Sequence, residues 1–364
     1  MPPNVSSTNQ CHQKQCEVDQ AHLECPKELQ AKIVAETKAL NKRLGIANKI
    51  YMKNGVFRFE TEIIWKNAIA ITMLHIFGVY HILTFSYMQH WKAFVWGYLM
   101  GMVGGFGVTG GAHRYWTHRS YKATVPFRIL LMVCYCSAGQ NSIYDWVRDH
   151  RVHHKFSETD ADPHNSNRGF FFAHVGWLML RKHSEVIRKG REIDMSDVLA
   201  DPVSAFAEKY FVPLKLLLAF VLPVLIPVYL WNESWYIAIV SQWFVRYMLL
   251  LNITWSVNSA AHLWGNRPYD KNISPVENKY VSIVAMGEGW HNYHHVFPWD
   301  YKAAEFGNYN LNLTTAIIDF FAYIGWVYDR KQPSTDLIQT VITNRGDGSH
   351  RIHQEIAERQ ITTN

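Results

Sequence analysis

Two stretches of this chain, Asn67 to Trp91 and Ala93 to Ala112, contain no Asp, Glu, Lys or Arg. A helix of about 20 residues crosses the hydrocarbon core of a bilayer, so both runs are long enough to span. A third run, Leu216 to Trp231, carries Pro223 and Pro227, and a fourth runs from Ser234 to about Ser256 after an Asn232-Glu233 turn. Backbone in lipid must satisfy its own hydrogen bonds. The four runs therefore read as two helical hairpins in an all-α integral membrane fold. Arg246 falls inside the fourth run, where a charge is costly, and is expected to face the bundle interior or a water-filled cavity. The 14% aromatic content, with fourteen Trp, suits a membrane protein.

Lys and Arg set the orientation. The connections after the first and third spans are nearly free of them, whereas the flank from Lys38 to Lys66 and the loop from His113 to Phe211 are rich in them. Both termini and that loop are expected on the cytoplasmic side. The reading divides the chain into a tail and pre-membrane segment (1–64), hairpin one (65–112), a cytoplasmic helical cap (113–211), hairpin two (212–258), the rest of the cap (259–330) and a flexible C-terminal tail (331–364), with residues 1 to about 50 also flexible. Ile129 to Ala138 and Ala316 to Trp326 are too short to span and read as interfacial or core helices. The first apolar run starts too late for a cleavable signal. Five Cys are expected to be free thiols in a reducing compartment. The Asn232-Glu233-Ser234 acceptor pattern lies too close to the membrane to be glycosylated. A net charge of +6 is too weak for a nucleic-acid binder and suits anionic headgroups or an anionic substrate tail.

Nine of the nineteen His fall in four places: His113 and His118 in AHRYWTH, His150, His153 and His154 in DHRVHH, His262 in NSAAH, and His291, His294 and His295 in GWHNYHH. On a helix, HxxHH puts its imidazoles at i, i+3 and i+4, on one face. All four places lie beyond the span ends on one side of the membrane. Neutral imidazole binds zinc, copper, iron or nickel, and nine donors exceed what one ion can use. Two adjacent metals are expected. His12, His22, His75, His81, His90, His350 and His353 read as ordinary core or surface residues, and His164, His174 and His183 as structural.

HRYWTH, HRVHH and HNYHH, spaced around four spans, resemble the membrane acyl-CoA desaturases of the stearoyl-CoA type, with wording closest to the insect ones. The likeness runs from about Glu60 to Asp329 and takes in DADPHNSNRGFFFAHVGW, NSAAHLWGNRPYD and GEGWHNYHHVFPWDY. It implies an endoplasmic reticulum enzyme that uses O2 to put a cis double bond, by family default at Δ9, into a long-chain acyl-CoA. All nine clustered His would hold two non-haem irons, with zinc able to take their place on overexpression. Asn258, four residues before His262, would hold a metal-bound water. Asn67, Asn141, Arg148, Arg181 and Lys182 would hold the CoA headgroup, whose phosphates favour Arg and Lys. Gln140, Trp146, Thr254 and Trp255 would line a bend beside the metals.

The second span closes the far end of the acyl tunnel in this family. A bulkier residue more often stands at the place of Gly101, so Gly101 and Gly105 are expected to leave room for a stearoyl-length chain or longer. The sequence has neither an HPGG-type haem string nor a GxGxxG after a strand, so reducing equivalents are expected from outside, and the resemblance implies cytochrome b5 and its NADH-dependent reductase as partners. A related di-iron hydroxylase or acetylenase, or a desaturase of other regioselectivity such as Δ11, is the alternative. A histidine-rich metal transporter fits poorly, since transport needs ligands near the bilayer midplane.

Overall fold

The computed structural model describes residues 61–305 and 309–352. The expectations for residues 1 to about 50, for Cys11, Cys16 and Cys25, and for His12, His22 and His353 lie outside the described residues. Helix α1 (Trp65–Thr84) and helix α2 (Trp91–Thr117) form the first hairpin. Helices α3 (Val125–Ser137) and α4 (Ile143–Phe156) follow in the cap, then α5 (Phe211–Trp231) and α6 (Trp235–Leu263) as the second hairpin. Helices α7 (His291–Val296), α8 (Leu313–Tyr323) and α9 (Thr335–Arg345) complete the cap, with shorter helical turns between. Helices α1, α2, α5 and α6 are long and apolar enough to cross a membrane, as the uncharged runs require.

The prolines of α5 explain the charge in α6. Pro223 and Pro227 have no N–H to give to the carbonyls one turn earlier, those of Ala219 and Pro223. The buried Arg246 guanidinium donates to Ala219 O, and also to Ser137 O and Gln242 O. Trp96 Nε1 donates to Pro223 O at 2.9 Å. The bundle thus returns by side chain what proline removes from the backbone, and Arg246 faces the interior as its cost in lipid demands.

Three boundaries differ from the sequence reading. Helices α2 and α6 do not stop at residues 112 and 258 but run on to Thr117 and Leu263, so hairpin and cap share continuous helices and His113 and His262 ride on their last turns. Over Gly107–Thr117 the backbone widens into π-type turns, a distortion common at functional sites. Gly107 is required there: a Cβ would stand 2.1 Å from Tyr135 N on α3. Third, the described residues after 331 do not form a loose tail. Ser334 caps α9, whose Ile338 and Ile342 pack against Tyr269, Tyr293 and Phe297. Arg345 pairs with Asp270, and His350 Nε2 lies 2.8 Å from Glu305 Oε2. Because Tyr293 sits between ligand positions of α7, this packing braces the third histidine string. An Ile342→Ala variant, at a fully buried position, is expected to lose about 2–5 kcal/mol of stability. Thermal unfolding in detergent measures this, and an unchanged transition would contradict the packing.

Candidate di-metal centre and cavity

The nine histidines converge, and they divide. His113, His118, His150, His154 and His294 form one group, and His153, His262, His291 and His295 form another; within each, the ligand nitrogens lie within 4.8 Å of one another. Each HxxHH string is split between the two groups. On a helix i and i+4 are nearly eclipsed while i+3 points to the other side. So His150 and His154 share one group and His153 goes to the other; His291 and His295 share the second and His294 crosses to the first. The one-face reading of these strings is therefore refined: the face spans two adjacent centres.

Nε2 atoms point inward. His113 and His294 meet at 2.9 Å, His294 and His154 at 3.0 Å, His150 and His154 at 3.2 Å, His262 and His291 at 3.0 Å, and His291 and His295 at 3.1 Å. Neighbouring donors bound about 2.1 Å from one ion stand about this far apart. His118 Nε2 and His153 Nε2 are buried without a hydrogen-bond partner. Facing lone pairs and orphaned nitrogens fit a cation between them.

For three of the nine, a carboxylate stands beside the other ring nitrogen. His113 Nδ1 lies 2.8 Å from Glu288 Oε2, His153 Nδ1 2.9 Å from Asp162 Oδ1, and His262 Nδ1 2.7 Å from Glu158 Oε1. Such partners fix the tautomer with Nε2 free for a metal and raise its basicity. Burial works against the charge on Glu288, but the Arg114 guanidinium and His113 outweigh it and hold the carboxyl at about 2. Burial likewise opposes the Asp162 charge, and His153 and His164 keep its pKa well below the usual range. Burial and mutual repulsion push His118, His150, His154, His291, His294 and His295 well below the ordinary imidazole value, so they stay neutral, as metal ligands must. The sequence reading assigned no role to Glu158, Asp162, Glu288 or Arg114. A signal was present for the acids: Glu158 and Glu288 sit four and three residues from a histidine string, in HHKFSE and GEGWH, and Asp162 two residues before His164, in DADPH.

A cavity of about 540 Å³ opens from this centre and runs between α2 and α6. His113, His150, His291 and Glu288 stand at its head together with Asn258; Gly105 and Gly101 line it further along. Apolar walls leading from a polar centre make a site for a long aliphatic chain.

Over residues 89–328 the sequence matches the fatty acid desaturase family. It is 54% identical over 298 residues to an acyl-CoA Delta-9 desaturase of Acheta domesticus, covering 81% of this chain and 82% of the relative. It is 51% identical over 292 residues to an acyl-CoA Delta(11) desaturase of Spodoptera littoralis (79% and 85%), and 48% identical over 292 residues to the stearoyl-CoA desaturase of Homo sapiens (80% and 81%). The chain belongs to the fatty acid desaturase family.

The remaining residues expected from family likeness fall in two places. Trp146 Nε1 donates to Gln140 Oε1 at 3.0 Å, and Gln140 Nε2 to Thr254 Oγ1 at 3.1 Å. Trp146 stacks on His150 and, with Thr254, lines the cavity. Trp255 is a correction: one residue on, it faces away from the cavity and packs with Val175 and Leu251 and against the His75 and His174 rings. At the cap surface, Arg148 pairs with Asp145 and Asp149, and Lys182 with Asp149 at 2.5 Å. Asn67 Nδ2 donates to Leu178 O, two residues before the strand-like pairing of Leu180 with Ile63, and Arg181 and Asn141 are exposed nearby in sequence to these groups. His174 bonds Ser259 and Asn252, and His183 caps the turn that starts at Ser184. His164 lies beside His153 and Asp162 behind the second group.

Proposed function

We propose that the chain is an acyl-CoA desaturase that introduces a cis Δ9 double bond into long-chain saturated fatty acyl-CoA. The observation that carries this is the position of two histidine groups at the head of an apolar cavity. Two iron ions, held by the five-histidine and four-histidine groups, would supply with O2 the oxidising power for an unactivated methylene pair, which no side chain has. Over the whole reaction two hydrogens leave the chain, and O2 takes these with two electrons and two protons to give two waters.

The protein's own part is placement. The linked side chains of Gln140, Trp146 and Thr254 shape the wall beside His150 and hold the chain in a bend. Apolar walls keep water from the reacting carbons. Asn258 holds a water at the centre. Arg148, Arg181, Lys182, Asn67 and Asn141 receive the CoA headgroup on the cap face, Arg148 and Lys182 exchanging their Asp149 pairing for phosphates. Gly101 and Gly105 make room for the far end of the chain. The electrons come from cytochrome b5 and its reductase on the cytoplasmic face of the endoplasmic reticulum; the excess of Lys and Arg in the sequence outside the spans supports that side for the cap and both termini.

Relatives at 54% and 51% identity carry the Delta-9 and Delta(11) names, and the position of the new double bond in the product distinguishes the two. Chelator-stripped protein is expected to lose O2-dependent desaturation and to regain it with ferrous iron but not with zinc, at two irons per chain for the two histidine groups. Activity that survives stripping, or full restoration by zinc, would contradict the iron assignment.

A further inference from the structure

The cavity does not end where the second span would be expected to close it. A Cβ built on Gly101 meets nothing within 4 Å, and the lining continues past it to Gly97, Ala93 and Phe94 on α2 and to Val245 and Ser241 on α6. At the end remote from the histidines the cavity reaches Phe85 and Tyr87, in the loop between α1 and α2. From Gly101 to Ala93 is eight residues of helix, about 12 Å at 1.5 Å per residue. At about 1.5 Å or less per carbon–carbon bond, that length holds at least about eight further carbons. We infer that the floor of the acyl tunnel is this hairpin loop, and that the enzyme takes saturated acyl chains well beyond stearoyl length. The inference rests on the acyl-CoA reading above and adds where the chain's far end lies.

The loop is built as a floor. The Phe85 and Tyr87 rings pack tilted at 5.0 Å, Tyr87 meets Phe94 edge-on at 5.2 Å, and Tyr87 Oη donates to Ile82 O. His90 Nδ1 donates to Glu233 at 3.1 Å and ties the loop to the opposite hairpin turn. Phe94, Tyr98 and Leu249 line the cavity and are also exposed at the surface of the bundle.

The test offers the full-length protein, with cytochrome b5, its reductase and NADH, an equimolar mixture of palmitoyl-, stearoyl-, behenoyl- and lignoceroyl-CoA and reads product ratios by mass spectrometry. Wild type is expected to make monounsaturated behenoyl and lignoceroyl products in amounts comparable with the stearoyl product. Gly101→Tyr is expected to lower the behenoyl-to-palmitoyl product ratio by more than about tenfold, since the pocket rejects each unaccommodated methylene severalfold or more. Val245→Phe, deeper along the cavity, is expected to lower the lignoceroyl ratio more than the behenoyl ratio. A wild-type profile that stops at stearoyl overturns the inference whether or not either variant folds, as do two variants with the wild-type profile. Absence of product even from stearoyl-CoA overturns the desaturase reading itself, and this inference with it.

Discussion

An Arg114→Met variant will lose about 3–5 kcal/mol of stability, because it leaves a buried carboxylate without its cation. Arg114 is almost wholly buried. Nε and Nη2 donate to Glu288 Oε1 at 3.0 and 2.8 Å, Nη1 to Tyr301 O and Thr315 Oγ1, and Nη2 also to Asn312 Oδ1. One guanidinium thus joins the His113 partner to the N-terminal cap of α8 and to the loop after α7. The loss extends to the metal. With Glu288 unpaired, the hold on the His113 ring weakens, and affinity for the five-histidine ion should fall about 10–100-fold, as when outer partners of ligands are removed. Arg114→Lys will not rescue it, since an ammonium has three donors and no planar fork. Thermal unfolding and iron content read both effects. A Met variant that unfolds with wild type and keeps both ions would show that the Arg114–Glu288 pair does not support the site.

The second large effect is expected at His294. Its Nε2 lies 2.9 Å from that of His113 and 3.0 Å from that of His154, so it occupies the middle of the five-histidine group. His294→Ala is expected to halve the iron content and to lower activity by more than the 10–100-fold typical of outer-partner loss. The remaining iron should sit in the four-histidine group, which His294 does not join. Loss of both ions would mean that the groups are not separate sites, and retention of both would remove His294 from the ligand set.

Spans and ligands were legible because each follows a one-dimensional rule. Uncharged runs of span length have few folds open to them, and HxxHH spacing on a helix is a matter of angle. The partition of each string was within reach of the same angle, since i+3 and i+4 flank the axis of the face on opposite sides. What was hidden depends on contacts between distant segments. The inward direction of Arg246 was expected from its cost in lipid, but its partner Ala219 O, a carbonyl that Pro223 leaves free on α5, was not. Helix α9 carries few apolar residues, and its Ile338 and Ile342 acquire a role only against Tyr269 and Tyr293. The continuation of α2 past residue 112 passes through Gly107, Gly110 and Gly111, and the close approach of α3 at Gly107 makes that glycine a packing requirement. Trp255 was misplaced because its neighbour Thr254 lines the cavity, and one step along a helix turns a side chain by about 100°.

The most direct test gives membranes containing this protein NADH and stearoyl- or palmitoyl-CoA in air, beside a His153→Ala control, and locates any new double bond by mass spectrometry. The account predicts a cis Δ9 product that disappears in the control, whose missing imidazole belongs to the four-histidine group. A hydroxylated product, or an equal yield of alkene from the His153→Ala protein, would contradict it.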